Sequence, residues 1–570
     1  MNLTRRAFRL AGIAPGGRLL DVGCGDGLTV DYAQSLALTA VGIDERAEKL
    51  PYGGGEFDAV VMECVLSVLE NKNLALSEVF RVTAQGGRLI ISDVYAKDDR
   101  AEYPSLEQYK NLLAVAGFRA DVLETHDDAL VNYCLEQGET PDRALGYFLA
   151  VAHKTTPLAE FERTVILEAG CADLRELQAA QLRGTIRRAQ KTRFYGAIPL
   201  IAGVNPDTLT RENYIEILRS LPVTLPSGVT GRANDFLAIP PSEVARVVTA
   251  RTSGTTGSAK RVFFDESDIA RCVRFFDYGM RGIAKRRCFV AFPCETTGSV
   301  GDVLSRALRN IGVEPVPYGL IRDPQAALAA LNASGADSVV GIPYQVRAMA
   351  AFGDAPSVQS VLLSSDSVPE SLADFIKNRW NCRAFEHYGM AEICYGGAVD
   401  CADGSGMHIR ENDLLIEITD ESGAPLPDGT PGNIVITSLN GEAMPFLRYK
   451  TGDTGTILPG KCPCGCGFRR LAVQGRARAA EVAGAVVRLS ELDEIVYKNE
   501  KIAAYSAAVR GDRLVLSVYP AVLWTTGDSD ELADEICGSI AGLARDKTEI
   551  AAGNSYGAVN SSVKRAFGGD

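Results

Sequence analysis

The sequence predicts an α/β architecture spread over more than one domain. Two observations carry this. Short apolar runs alternate with helix-length stretches over residues 1 to about 154, and the alternation resumes later and lasts to about residue 475. Strands alternating with helices build parallel sheets whose faces are covered. The final 95 or so residues change to a looser mixture of strand and helix, which reads as a small α+β domain. A chain of 570 residues leaves room for roughly three to four domains.

The elements follow in chain order. Arg18–Gly23 is a strand running into a glycine turn, Ala40–Asp44 a second strand ending in an acid, Phe57–Met62 a third and Gly87–Ser92 a fourth. Leu106–Ala116 reads as a helix and Tyr147–Ala152 as a closing strand. Lys154–Pro157 is a linker, followed by one charged helical stretch from Leu158 to about Arg193. Val361–Ser364 and then Pro369–Trp380 form a strand-helix unit, and Leu414–Ile418 is a further strand. In the last domain, Leu514–Tyr519 is a strand and Asp530–Leu543 a helix.

Composition excludes several functions. Hydrophobic residues make up 46% and charged residues 23%, as in an ordinary globular protein. A net charge of −13 argues against nucleic acid or an anionic membrane as partner, because both call for a basic face. No run of about 20 apolar residues offers a membrane span. Arg9 interrupts the apolar stretch Ala7–Ile13, which argues against a signal peptide. Fourteen cysteines then read as thiols or metal ligands in a reducing cytoplasm. The expectation is a cytoplasmic enzyme of undetermined oligomeric state.

The loop Thr252-Ser253-Gly254-Thr255-Thr256-Gly257, closed by Lys260, has the chemistry of a phosphate cradle. Glycines let backbone N–H groups approach an anion, hydroxyls add donors, and a lysine adds a point charge. It is not a Walker loop, since Arg261 follows Lys260 and the glycine spacing differs. It resembles the phosphate loop of adenylate-forming enzymes, the acyl-CoA synthetase superfamily. Further motifs follow in that family's order. His387-Tyr388-Gly389-Met390-Ala391-Glu392 resembles a motif whose Tyr stacks on adenine and whose Glu holds Mg²⁺. A carboxylate is the ligand type that Mg²⁺ prefers. Ala391 departs from the pattern, where a hydroxyl usually meets the α-phosphate. Tyr449-Lys450-Thr451-Gly452-Asp453 resembles the motif whose Asp accepts both ribose hydroxyls. Gly475-Arg476 resembles the hinge before a mobile C-terminal domain, although the usual hinge Asp is missing, and Lys564 sits where the family has its adenylation lysine, although Val563 replaces the usual Gly. Within the superfamily the resemblance is to phenylacetate-CoA ligases, on Phe194-Tyr195 and the run Gly298–Asp302.

Cys462-Pro463-Cys464-Gly465-Cys466, with Cys401 and His408 upstream, is a thiol-rich set. One imidazole and three thiolates form a common closed zinc site. Cys401, His408, Cys462 and Cys464 are the expected ligands of a structural Zn²⁺, with Cys466 as the alternative fourth. Some phenylacetate-CoA-ligase-like enzymes carry zinc in these loops, which the resemblance adds.

Leu20-Asp21-Val22-Gly23-Cys24-Gly25-Asp26-Gly27 resembles the first motif of class I S-adenosylmethionine methyltransferases, which have a Rossmann-like fold. The resemblance implies that Asp21 meets the ligand's ammonium, that Gly23, Gly25 and Gly27 let backbone approach it, and that Asp44 takes ribose hydroxyls. Only five residues separate Asp44 from Leu50, where the family places a helix and a third strand. The domain is therefore expected to be shortened. Glu63 and Cys64 sit where substrate-facing residues often occur.

The resemblances imply a bifunctional enzyme with a methyltransferase at 1–154, an adenylation core at 158–475 and a mobile domain at 476–570. A small-molecule carboxylate would be adenylated by ATP and Mg²⁺ and passed to CoA, with S-adenosylmethionine serving the first domain. Lys260, Glu392 and Lys564 are the expected catalytic residues. Tyr388, Gly389, Asp453, Arg476 and the Thr252–Gly257 loop are the expected nucleotide site. Two alternatives remain: adenylyl transfer to a coenzyme-like acceptor without a thioester, and a degenerate nucleotide-binding scaffold.

Overall fold

The computed structural model describes residues 2–44, 47–53, 55–98, 103–251, 259–401, 406–462, 464, 466–476, 478–553, 556 and 567–568. The chain divides into two compact units, residues 1–160 with 463–466, and residues 161–462 with 467–570. Among the described residues no helix is long and apolar enough to cross a membrane, and the cysteines form no disulfide.

The first unit contains α1 (Asn2–Ala11), β1 (Arg18–Val22), α2 (Leu28–Ser35), β2 (Thr39–Ile43), β3 (Phe57–Glu63), α3 (Lys72–Val82), β4 (Thr83–Ala96), α4 (Leu106–Val115), β5 (Phe118–Thr125), α5 (Asp127–Glu136) and β6 (Leu145–Lys154). The strands form one sheet in the order β2-β1-β3-β4-β6-β5. β2, β1, β3 and β4 run parallel, and β6 is antiparallel to both β4 and β5. Successive strand residues face opposite sides. Accordingly, Leu20, Val22, Val60 and Met62 pack into one apolar cluster, while Leu19, Ala59 and Val61 pack into another. A sheet buried on both faces explains why these strands read as unbroken apolar runs. No strand lies between Ile43 and Phe57 among the described residues, and β2 is the sheet edge.

The second unit is built on an eleven-stranded sheet. Its first half is parallel, in the order Glu314–Pro317, Arg287–Ala291, Ser338–Gly341, Ser360–Ser364, Arg383–Tyr388. Its second half is antiparallel and includes Met407–Ile409, Arg470–Gly475, Tyr449–Leu458, Gly432–Ser438 and Leu414–Thr419. A separate hairpin pairs Arg246–Arg251 with Ala259–Phe264. Near the C-terminus, Ile502–Arg510, Arg513–Pro520 and Thr548–Ala552 form a small sheet with helix Thr526–Ser539.

Two expected helices are corrected. The charged stretch Leu158–Arg193 is not one helix but two, Pro157–Glu168 and Leu174–Lys191. Gly170 takes φ +66° between them, and the Asp173 carboxylate accepts from Glu176 N at 3.0 Å to cap the second. The last helix starts at Thr526, not Asp530, because Thr525 and Asp528 form a reciprocal capping box.

The C-terminal residues pack on the core of the same unit. Glu494 accepts from the backbone N–H groups of Glu370 (2.6 Å) and Ser371 (3.0 Å), and so caps the helix Glu370–Trp380. Arg347, fully buried, stacks on Phe375 at 3.8 Å and donates to the Asn499 carbonyl at 3.1 Å. Its Nε and Nη1 have no partner among the described residues, and burial lowers its pKa to about 10. In the same unit Ala348, Ala503, Ala504 and Tyr556 form a small apolar cluster.

Candidate active sites

The second unit encloses a cavity of about 1010 Å³. Lys260 enters it from the hairpin strand Ala259–Phe264, and Glu392 from a short 3₁₀ turn, Ala391–Ile393, just after the strand Arg383–Tyr388. Lys260 donates to Glu392 Oε1 and to the Tyr449 hydroxyl, which itself donates to Glu392 Oε1 at 3.0 Å. All three are buried. Burial also raises the Tyr449 pKa, so its hydroxyl stays protonated and serves as a donor. Gly389 and Arg476 line the same cavity. A Cβ on Gly389 would meet the Tyr395 carbonyl oxygen at 1.6 Å, so only glycine fits there.

Two expected nucleotide residues pair with each other next to the cavity wall. Tyr388 and Asp453 are not among the residues lining the cavity. They bond to each other, Tyr388 Oη donating to Asp453 Oδ2 at 3.1 Å, while Arg476 Nε donates to Asp453 Oδ1 at 2.9 Å. Arg476 thus connects Asp453 to the wall. Residues Thr252–Gly257 and Lys564 lie outside the described residues.

In the first unit, β1 is flanked by β2 on one side and β3 on the other. Such a switch in strand order opens a crevice at the carboxyl ends, where α/β sheets bind ligands. Asp21, Gly23, Asp44, Glu63 and Cys64 all fall at these ends. Gly23, Gly25 and Gly27 take φ of +79°, +47° and +79°, a region that disfavours any side chain. Gly25 N donates to Asp44 Oδ1 at 3.4 Å. Asp21 is buried, and burial, with Glu63 and Asp44 nearby, pushes its pKa up to about 7. Glu63 accepts from the hydroxyls of Thr29 (2.6 Å), Thr4 (2.8 Å) and Ser92 (3.3 Å). Cys64 Sγ lies 3.4 Å from the Tyr147 hydroxyl.

Comparison with known families recovers both domains. Residues 236–441 match the family model of AMP-binding enzymes, and residues 2–123 match a methyltransferase domain model. The chain joins a methyltransferase domain to a phenylacetate-CoA ligase-like AMP-binding enzyme. The phenylacetate-coenzyme A ligase of Escherichia coli K12 is 27% identical over 356 residues, 58% of this chain and 78% of its own length. That of Thermus thermophilus is 26% identical over 308 residues, 51% of this chain and 67% of its own length. The demethylmenaquinone methyltransferase of Renibacterium salmoninarum is 33% identical over 117 residues. That match covers 16% of this chain and about half (49%) of the methyltransferase. Among solved structures, 2-hydroxyisobutyryl-CoA ligase in its postadenylation state shares the fold of the AMP-binding enzyme. It has a TM-score of 0.57 at 18% identity, covering 69% of this chain and 88% of its own.

In the second unit Cys401 Sγ lies 3.6 Å from Cys462 Sγ, and both residues and His408 are buried; Cys464, also buried, belongs to the first unit. His408 Nδ1–H donates to the Phe468 carbonyl at 2.9 Å, so Nε2 is the nitrogen that would ligate a metal. In the first unit the Cys466 backbone N–H donates to Cys464 Sγ at 3.4 Å.

Several side chains at these sites were not singled out from sequence. Tyr449 was quoted in a motif without a role. Phe275, Phe276, Ser364 and His387 line the cavity of the AMP-binding enzyme. His387 was legible in principle, because it precedes Tyr388 on one strand and alternation sends it to the other face.

Proposed function

We propose that the AMP-binding enzyme adenylates a small-molecule carboxylate with ATP and then forms a CoA thioester, while the fused domain transfers methyl groups from S-adenosylmethionine. The observation that carries the first half is the convergence of Lys260, Glu392 and Tyr449 on one large cavity. In the first step a carboxylate oxygen bonds to the α-phosphorus of ATP as the bond to pyrophosphate breaks. Lys260 and the 252–257 loop neutralise the phosphates and hold them in line. Glu392 would hold Mg²⁺, which would offset phosphate charge. In the second step the CoA sulfur bonds to the acyl carbon and AMP leaves. We assign 158–475 to the core and 476–570 to a domain that turns about Gly475-Arg476 between the steps, with Lys564 serving the first.

ATP–pyrophosphate exchange across a panel of carboxylates, followed by addition of CoA, tests this. Exchange with at least one acid and a thioester after CoA are expected. An AMP adduct that CoA leaves intact would replace thioester formation with adenylyl transfer to another acceptor. Bound ATP without exchange for any acid would overturn adenylation.

For the methyltransferase domain, the donor set fits a cationic ligand: Asp21, Glu63 and Asp44 are gathered at the carboxyl ends of the strands. A cation favours the charged form of Asp21, so protonation of Asp21 competes with binding. S-adenosylmethionine should bind about tenfold more weakly at pH 6 than at pH 8, because the free carboxyl titrates near 7. Calorimetry at the two pH values checks this, and Asp21→Asn should flatten the difference. Equal affinity at both pH values would refute the assignment of Asp21.

We also assign a structural Zn²⁺ to Cys401, His408, Cys462 and Cys464. Three thiols and an imidazole with a fixed tautomer are a donor set suited to a closed tetrahedral site.

A further inference from the structure

The cavity wall carries three charged side chains among the described residues, Lys260, Glu392 and Arg476, and each is already paired. The wall therefore offers no spare cation for a second carboxylate and no spare carboxylate for an ammonium group. Much of the remainder is apolar, with Phe275 and Phe276 prominent.

Neutral polar side chains also line it, Thr249, Ser365, Tyr395 and Thr451 among them, and two others form a bonded pair. Ser364 and His387 are register partners on adjacent parallel strands, so they share a face. Ser364 Oγ and His387 Nδ1 are hydrogen-bonded at 2.8 Å. The imidazole stands edge-on to Phe276, with ring centroids 5.5 Å apart, and 6.4 Å from the centroid of Phe275. Its Nε2 is buried and has no partner among the described residues. Burial, reinforced by Arg410, pushes its pKa down to about 4, so the ring is neutral at physiological pH. A buried nitrogen without a partner is costly, and such a group in a ligand cavity is most simply completed by the ligand.

We propose that His387, held by Ser364, is a specificity-determining residue that reads a hydroxyl or amino group on the acid. The substrate class is then a monocarboxylic acid with an apolar body and one neutral hydrogen-bonding substituent. A hydroxyl or amino group suits the site whichever way the Ser364–His387 bond is polarised, because either can donate to Nε2 or accept from it. A charged substituent would have to shed its water beside two phenyl rings. Discrimination follows from the same physics: a site built to bond a hydroxyl rejects the analogue that lacks it far more strongly than an apolar pocket rejects a missing methylene.

This inference rests on the adenylation reading, and the test separates the two. Benzoate and phenylacetate are each compared with their ring-hydroxylated and ring-aminated derivatives. Two readouts are taken on the full chain: kcat/KM for ATP–pyrophosphate exchange, and calorimetric binding of each acid without ATP. At least one substituted acid is expected to exceed its parent by ~30-fold or more in both readouts. In His387→Leu that ratio should collapse to within about threefold of unity, and His387→Gln, which keeps a hydrogen-bonding group, should restore part of it. A wild-type protein that treats substituted and parent acids alike, or a His387→Leu variant that weakens both equally, overturns the proposal. Preferential binding without exchange would leave the role of His387 standing and remove adenylation; exchange without preference would do the reverse.

Discussion

Replacing Lys260 by methionine should lower the rate of pyrophosphate exchange by about 10²–10³-fold, the cost of removing one preorganised charge-stabilising donor from a transition state. Glu392→Gln should cost a comparable factor. The double variant should cost scarcely more than either single change, because the two side chains and the Tyr449 hydroxyl form one bonded unit and the effects of such units do not add. Stability provides a second readout with a different pattern. Lys260 and Glu392 side chains are only 9% and 7% exposed. Removing one partner of a buried ion pair strands the other charge and costs about 3–5 kcal/mol. Removing both relieves that penalty. Urea unfolding should therefore rank the double variant above both single ones. A Lys260→Met protein with undiminished exchange would refute the placement of Lys260 at the phosphates.

The second large effect concerns the thiol cluster. Purified protein should contain one zinc per chain by elemental analysis, and Cys462→Ser should lose it. A site filled a thousandfold above its Kd contributes ~4 kcal/mol to the state that binds the metal. The variant should therefore melt earlier, and adding a strong chelator to the wild type should reproduce the shift. Cys466→Ser should keep its zinc, because Cys464 and not Cys466 is assigned as the fourth ligand. A metal-free wild-type protein with undiminished stability would overturn the assignment.

Much of this was legible in the sequence because it is written in local chemistry. The glycine turn after β1 needs φ values that glycine supplies, and apolar strands buried on both faces announce a parallel sheet. The candidate Cys and His ligands are readable by donor type, although their spacing is not that of a zinc finger. Other features arise only from folding. Tyr388 and Asp453 sit 65 residues apart and bond to one another, a pairing set by sheet order and invisible to either motif. Phe275 and Phe276 come from a helix and His387 from a strand, so the wall they share has no signature along the chain. Glu63 collects hydroxyls from α1, α2 and β4, and no window of sequence contains all three. The break at Gly170 was missed because the flanking residues are strong helix formers, and one glycine with φ +66° outweighs them.

Arg347 gives the seam beneath the C-terminal residues an unusual response to temperature. Its guanidinium is buried with no ion-pair partner among the described residues, Glu500 attracting it only at longer range, and it lies over the rings of Phe375 and Tyr497. The cost of stripping water from an ion falls on warming, whereas apolar contacts lose strength on cooling. Both trends have the same sign here. The seam is therefore held least tightly in the cold, and its grip improves towards the temperatures at which the surrounding core begins to loosen.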